Sequence, residues 1–231
     1  MEQTDTKLST RPKRKFWLFL ICDLIIGLLI AAMSLILLHH QPADYNPPSL
    51  LDTPNEVNPY FTHIIMPAFY NGIQSGKPFT ITIDEKPLND AIIACGWPQA
   101  YESMLFSTPV VFFTKNRVTG MCRVNYNGID TVITAAISPQ FQPDGKLNLS
   151  LQTIRAGALA LTLLVKPIAS RMYNSHMEMM QGEPDLYSTI MGSILAEKPF
   201  DPVIDLGKHK ARITSIQIDT KTAKITFVPI I

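Results

Sequence analysis

The chain has 231 residues, 46% hydrophobic and 17% charged, with a formal net charge of +1. That length suits one ordinary domain plus an accessory segment. From residue 41 onward acidic and basic side chains nearly cancel, and without a basic surplus nucleic acid is not an expected partner.

Between Phe16 and Leu38 the only charged residue is Asp23. A helix over this run, rising about 1.5 Å per residue, covers the roughly 30 Å hydrocarbon core of a bilayer. Lys7, Arg11, Lys13, Arg14 and Lys15 precede it, and no Lys or Arg follows until Lys77. This asymmetry predicts a cytoplasmic basic tail over 1–15, one transmembrane helix over 16–38, and an extracytoplasmic remainder at the cell membrane. A cleavable signal peptide is the rival. Its apolar region is shorter, about 7 to 15 residues, and ends in small residues, unlike Leu35-Ile36-Leu37-Leu38-His39-His40. Cys22 does not suit a lipoprotein, because bulky Phe19-Leu20-Ile21 precedes it. An ionised Asp23 inside the span costs about 2.5 to 3.5 kcal/mol. It reads either as a contact with a partner helix, beside the small residues Gly27 and Ala31, or as a group near the interface, where Phe16 and Trp17 form an aromatic belt.

Residues 39–58 are rich in proline, including Pro42, Pro47, Pro48 and Pro54. They read as a stiff, extended spacer before a domain over 59–231. Tyr60, Ile64, Ile65, Ala68 and Phe69 recur at helical spacing, with an interruption at Pro67. Phe79 to Ile83 alternate as a strand, and Asp84 is placed to cap a helix that carries Pro87 in its first turn and ends near Ala94. Turn signals at 115–117, 127–128 and 143–145 divide residues 105–154 into an antiparallel meander. A two-residue Asn127-Gly128 turn pairs Tyr126 with Ile129, Val124 with Thr131 and Cys122 with Ile133. The strand Lys146 to Gln152 alternates so regularly that one face is covered and the other, carrying the Asn148-Leu149-Ser150 glycosylation pattern, is wet. Apolar runs at Leu159–Met180, with a break or kink at Pro167, and at Leu186–Leu195 supply helices for that cover. Residues 213–218 and 223–228 form a hairpin that extends the sheet. The class is α+β: an antiparallel meander with one face covered by helices, preceded by one transmembrane helix.

Chemistry is sparse. No Gly-x-Ser-x-Gly elbow or phosphate loop occurs, and no His-Glu-x-x-His or Cys-x-x-Cys spacing offers ligands to a metal. No cofactor is implied. The short acidic groups, Asp84 with Glu85, Glu183 with Asp185, and Asp201 with Asp205, read as caps and solvated loops. Cys95 and Cys122 either pair in an oxidising compartment or pack singly as small hydrophobes on apolar faces. Met172, Met177, Met179, Met180 and Met191 crowd the helical region; of these, Met172, Met177, Met180 and Met191 are the candidates for an apolar ligand surface, against simple core packing. Lys208, His209, Lys210 and Arg212 either meet anionic headgroups or form a solvated loop.

Two segments resemble the YpmS-like family: Phe79-Thr-Ile-Thr-Ile-Asp-Glu-Lys-Pro-Leu-Asn89, and Pro143-Asp-Gly-Lys-Leu-Asn-Leu-Ser-Leu-Gln-Thr-Ile-Arg-Ala-Gly-Ala-Leu159. The likeness covers about residues 79 to 165 plus the anchor. It implies a bacterial protein with an N-terminal membrane anchor and an extracytoplasmic domain, and carries over no catalytic residue. The chain departs from the family in the apolar run Ala158 to Leu161, where a proline is expected, and in its long linker.

The expected function is a non-enzymatic, membrane-anchored domain that binds a lipid or another apolar ligand near the bilayer. The alternatives are an accessory or scaffold subunit that meets a membrane-protein partner through Asp23, Gly27 and Ala31, and an envelope hydrolase with an unrecognised site among Asp84, Glu85 and His176.

Overall fold

A computed structural model describes residues 13–47, 58–179, 185–207 and 209–230. Lys7, Arg11, the linker over 48–57, Met180, Glu183 and Lys208 lie outside the described residues, as do the side chains of Lys13, Arg14, Lys15, His176 and Met179. Helix α1 runs Lys13–Leu38, and its Phe16–Leu38 portion is long and apolar enough to cross a membrane. From Phe16 to Met33 its side chains are exposed. A π-helical turn, Tyr60–Ile65, then runs into α2, Met66–Gln74. The expected interruption at Pro67 is this change of pitch. Met66 N–H bonds to Phe61 O, five residues back, and Pro67, with no N–H to extend that ladder, stands in the first turn of α2.

The strand and helix read after residue 78 are β1, Phe79–Asp84, and α3, Glu85–Ile93. Asp84 stands at the N-cap but makes no side-chain capping bond. The meander comprises β4, Val110–Thr114, β5, Arg117–Tyr126, β6, Ile129–Phe141, and β7, Leu147–Ala156. A short hairpin, β2, Gln99–Tyr101, and β3, Met104–Phe106, precedes it, and β8, Leu159–Ala160, closes it. The sheet order is β2-β3-β5-β6-β7-β8, with β4 also paired to β5. The Asn127-Gly128 turn sets the expected register, Tyr126 opposite Ile129, Val124 opposite Thr131 and Cys122 opposite Ile133. Helices α4, Thr162–Met179, and α5, Leu186–Ala196, follow, and α4 continues through Pro167 rather than breaking there.

The C-terminal hairpin does not extend the meander. Strands β9, Val203–Asp205, β10, Lys210–Asp219, and β11, Thr222–Ile230, join β1 in a second antiparallel sheet ordered β1-β11-β10-β9. The reason is aromatic. Phe79 of β1 stacks on Phe227 of β11 at 5.2 Å, and Phe69 of α2 meets Phe227 edge-on at 5.4 Å. A Cβ at Gly72 would overlap the Phe79 ring, so α2 lies flat against this sheet. The two sheets join at their hairpin tips, where Asn116 N–H donates to Ile218 O (2.8 Å) and Lys221 N–H to Phe113 O (3.1 Å) above buried Phe113, Ile218 and Ala223.

An open edge strand leaves backbone groups that must find partners, and the helices supply them. On β4, Val111 N–H donates to Asn89 Oδ1 and Val111 O accepts from Asn89 Nδ2, both at 2.7 Å, while Phe113 N–H donates to Glu85 Oε2 at 2.6 Å. The match is metric: four helical residues rise about 6 Å and two strand residues about 6.6 Å. On β7, Leu149 N–H donates to Ser193 Oγ of α5 (2.7 Å), and Leu147 exchanges both its backbone bonds with Phe200. Ser193 is fully buried and also donates to Asn148 Oδ1 at 3.2 Å. Asn148, expected on a wet face, is therefore engaged by α5.

Asn89→Ala leaves both polar groups of Val111 without their partner and is expected to destabilise the fold by on the order of 2 to 3 kcal/mol, read from denaturant unfolding. A change below about 0.5 kcal/mol would mean that water replaces the side chain at that edge.

Candidate functional site

The last carbonyls of a helix have no partner within it. In α1 the domain provides them: Leu37 O accepts from Ala158 N–H at 2.8 Å and Leu38 O from Thr131 Oγ1 at 2.7 Å. Gly157 makes the approach feasible. Its φ is +57°, and a Cβ there would overlap the Leu37 and Leu38 carbonyl oxygens.

The chain leaving α1 is packed, which corrects the reading of its first residues as part of a stiff, extended spacer. Tyr45 is only 3% exposed and joins Val110, Met121 and Val132 in a core cluster. Its hydroxyl accepts from Arg123 N–H (3.1 Å) and donates to Thr108 O (3.2 Å). That position is the gap between β3 and β4, where Arg123 N–H lacks a strand partner. Burial raises the Tyr45 phenol above its ordinary range, against the lowering effect of the bond from Arg123 N–H. Gln41 accepts from Arg123 Nη2 at 2.7 Å and donates through Nε2 to Tyr45 O at 3.2 Å. Prolines in this stretch exclude helix and ladder but not burial.

Topology gathers one end of the meander around this junction. The turns after β2, β5 and β7 all lie at that end, because β3 and β6 leave it and β5 and β7 arrive there. It displays Tyr101 (64% exposed), Leu105, Tyr126 and Ile129. Helix α4 starts four residues after Ala158 and carries exposed Leu163 (91%), Leu164, Ile168 and Met172. The sheet end carries an apolar patch and α4 an exposed apolar stretch, and apolar groups of this size call for a function.

The sequence-predicted residues fare differently. Met172 belongs to the exposed stretch of α4, while Met177 and Met191 are half-buried. The larger apolar groups Leu163, Leu164 and Ile168 read as core in the sequence, since nothing in an unbroken apolar run tells its inner from its outer face. Asp23, Gly27 and Ala31 follow one another at four-residue steps on a single exposed face of α1, and nothing lies within 4 Å of a Cβ built on Gly27. Cys95 and Cys122 do not pair; both are free thiols. Cys95 is exposed rather than on an apolar face, and Cys122 Sγ donates to Ser107 O at 3.0 Å. Burial pushes the Cys122 thiol up to about 11. Glu85 is committed to the β4 edge, and Asp84 is exposed. In the basic cluster Lys210 pairs with Asp205 at 2.6 Å and Arg212 with Asp201 at 2.7 Å, which offsets its charge. Among the described residues no three metal-binding side chains converge.

A cleft of about 410 Å³ opens between the sheets beside Asp44, Glu85, Phe112, Met121 and Lys221. A smaller cavity of about 220 Å³ lies at the end of α1. Comparisons with family models, curated proteins and solved structures found no match to this chain.

Gly157→Ala is expected to pry α1 from the sheet. A residue other than glycine at positive φ costs about 1 to 2 kcal/mol before any overlap, so the Ala158 amide should exchange hydrogen about tenfold faster or more. Unchanged exchange would show that the junction tolerates the methyl group. The thiols provide a separate check: at about pH 8 the Cys122 thiol stays protonated, so a maleimide should modify Cys95 well before Cys122. Equal rates would contradict the burial of Cys122.

Proposed function

We propose that the chain is a single-pass membrane protein, with its N-terminus cytoplasmic, whose extracytoplasmic domain is seated on the bilayer and works as a non-enzymatic lipid-contacting module. The observation that carries this reading is the junction: the end of α1 is hydrogen-bonded into the same sheet end that displays the apolar patch. Retention of α1 follows the same logic. Cleavage after the apolar run would strip partners from Ala158 N–H and Thr131 Oγ1, and removal of Tyr45 would open a core cluster. Since α1 projects away from the domain, its docked end, followed by His39 and His40, marks the bilayer surface, and Tyr101 and Tyr126 lie at the depth where amphipathic rings are favoured. Leu163, Leu164 and Ile168 are then positioned as the apolar face of an interfacial helix, buried about 5 to 10 Å below the headgroup boundary. The YpmS-like resemblance agrees with an anchor of this kind and rests on the segments that form β1 with α3 and β7 with its following turn.

A second reading, an accessory subunit, draws on the unpartnered Asp23, Gly27 and Ala31 face of α1. Asp23→Leu should abolish co-purification of a membrane partner and leave lipid contact unchanged. A hydrolase acting through Asp84, Glu85 and His176 draws no support from the geometry, because Glu85 holds a strand edge.

The seating is tested in nanodiscs with the full chain, its three cysteines replaced by serine and a single new cysteine introduced for a fluorophore. A label at Leu164 is expected to be quenched by brominated acyl chains, and a label at Gln142, in the turn at the far end of the meander, is not. Equal quenching at the two positions would reject the seating.

A further inference from the structure

The 220 Å³ cavity at the end of α1 is lined by His39, Gln41, Arg123, Asp130, Thr131 and Val132. Its volume equals that of about seven waters, the size class of one phosphate with a short amine arm. Arg123 and Asp130 carry opposite charges on its wall, yet no ion pair joins them. Each is held by a neutral partner instead. Gln41 Oε1 accepts from Arg123 Nη2 at 2.7 Å, and Asn125 Nδ2 donates to Asp130 Oδ1 at 3.1 Å. Arg123 faces Val132 across the ladder and Asn125 faces Asp130, so all four side chains share one face of the sheet.

Two opposite charges held apart in one cavity match a ligand that carries both signs at short separation. The guanidinium fork suits a phosphate, which it can grip through two parallel N–H groups. The Asp130 carboxylate suits an ammonium and repels a headgroup that is only anionic. Thr131 is already committed to Leu38 O, so the cavity is tied to the exit point of the span, and an acyl tail would continue downward along α1.

We propose that this cavity binds the headgroup of a phospholipid with a phosphate and a primary ammonium, as in phosphatidylethanolamine, with the phosphate on Arg123 and the ammonium on Asp130. The proposal deepens the seated-domain reading and rests on it. It assigns lipid selectivity to polar residues of β5 and β6 rather than to the apolar patch.

The test is native mass spectrometry of the full chain released from nanodiscs that hold phosphatidylethanolamine and phosphatidylglycerol in equal amounts. The wild type is expected to retain the ethanolamine lipid about tenfold over the glycerol lipid, a difference of about 1.4 kcal/mol. Asp130→Asn, which is exposed and nearly isosteric, should erase that preference while still retaining lipid. Arg123→Gln should lose retention of both. No preference in the wild type, or an undiminished one in Asp130→Asn, overturns the proposal; the latter variant keeps the test decisive even where Arg123→Gln disturbs folding. Retention of water-soluble glycerophosphoethanolamine as firmly as of the lipid would assign the cavity to a free phosphate ester and overturn the lipid assignment. The quenching measurement at position 164 in the same nanodiscs separates the two failures. Lost quenching removes the seating itself, and intact quenching without headgroup preference removes only the headgroup site.

Discussion

The fold depends on finding partners for backbone groups along the edges of its meander. An unpaired N–H or carbonyl shielded from water costs about as much as several favourable contacts return. The meander is long, and its edge beside β5 is split between β3 and β4, so the debt is unusually large. Three side chains discharge much of it: Asn89 from α3, Ser193 from α5 and the Tyr45 hydroxyl from the segment after α1. Each ties a separate part of the chain to the same sheet. The positions of α3, α5 and the end of α1 are therefore consequences of one requirement, and hydrophobic burial fills in around them.

This explains which features were legible in the sequence. Local period and turn chemistry determined the strand and helix after residue 78, the meander, the register across Asn127-Gly128 and the membrane-length helix. Those signals act between neighbours in sequence. The partition into two sheets was not legible, because it depends on Phe79 meeting Phe227 and Phe69 across long separations. Nor was the role of Asn89, which reads as an ordinary polar position on a helix until β4 is laid beside it. Tyr45 was hidden by its prolines, whose usual association with extended spacers outweighed one aromatic residue.

At the candidate site the methionines drew attention because thioethers suit irregular surfaces, yet the exposed apolar groups of the sheet end and of α4 are mainly leucine, isoleucine and tyrosine, with Met172 alone among them. Composition cannot separate an apolar residue that seals a core from one that faces a membrane, since both shun water. The distinction comes from the place of each residue in the fold. Arg123 and Asp130 were overlooked for a related reason: they sit on different strands, and only the hairpin register brings them to one wall.

The glycine at position 157 carries a mechanical consequence. With Leu37 bonded to Ala158 and Leu38 to Thr131, α1 and the sheet have no slack between them, and a torque on one is delivered to the other. Tilting of α1, as by a neighbour pressing on its Asp23 face, would swing the whole domain like a lever on a short shaft. The far end of the meander would move through the widest arc.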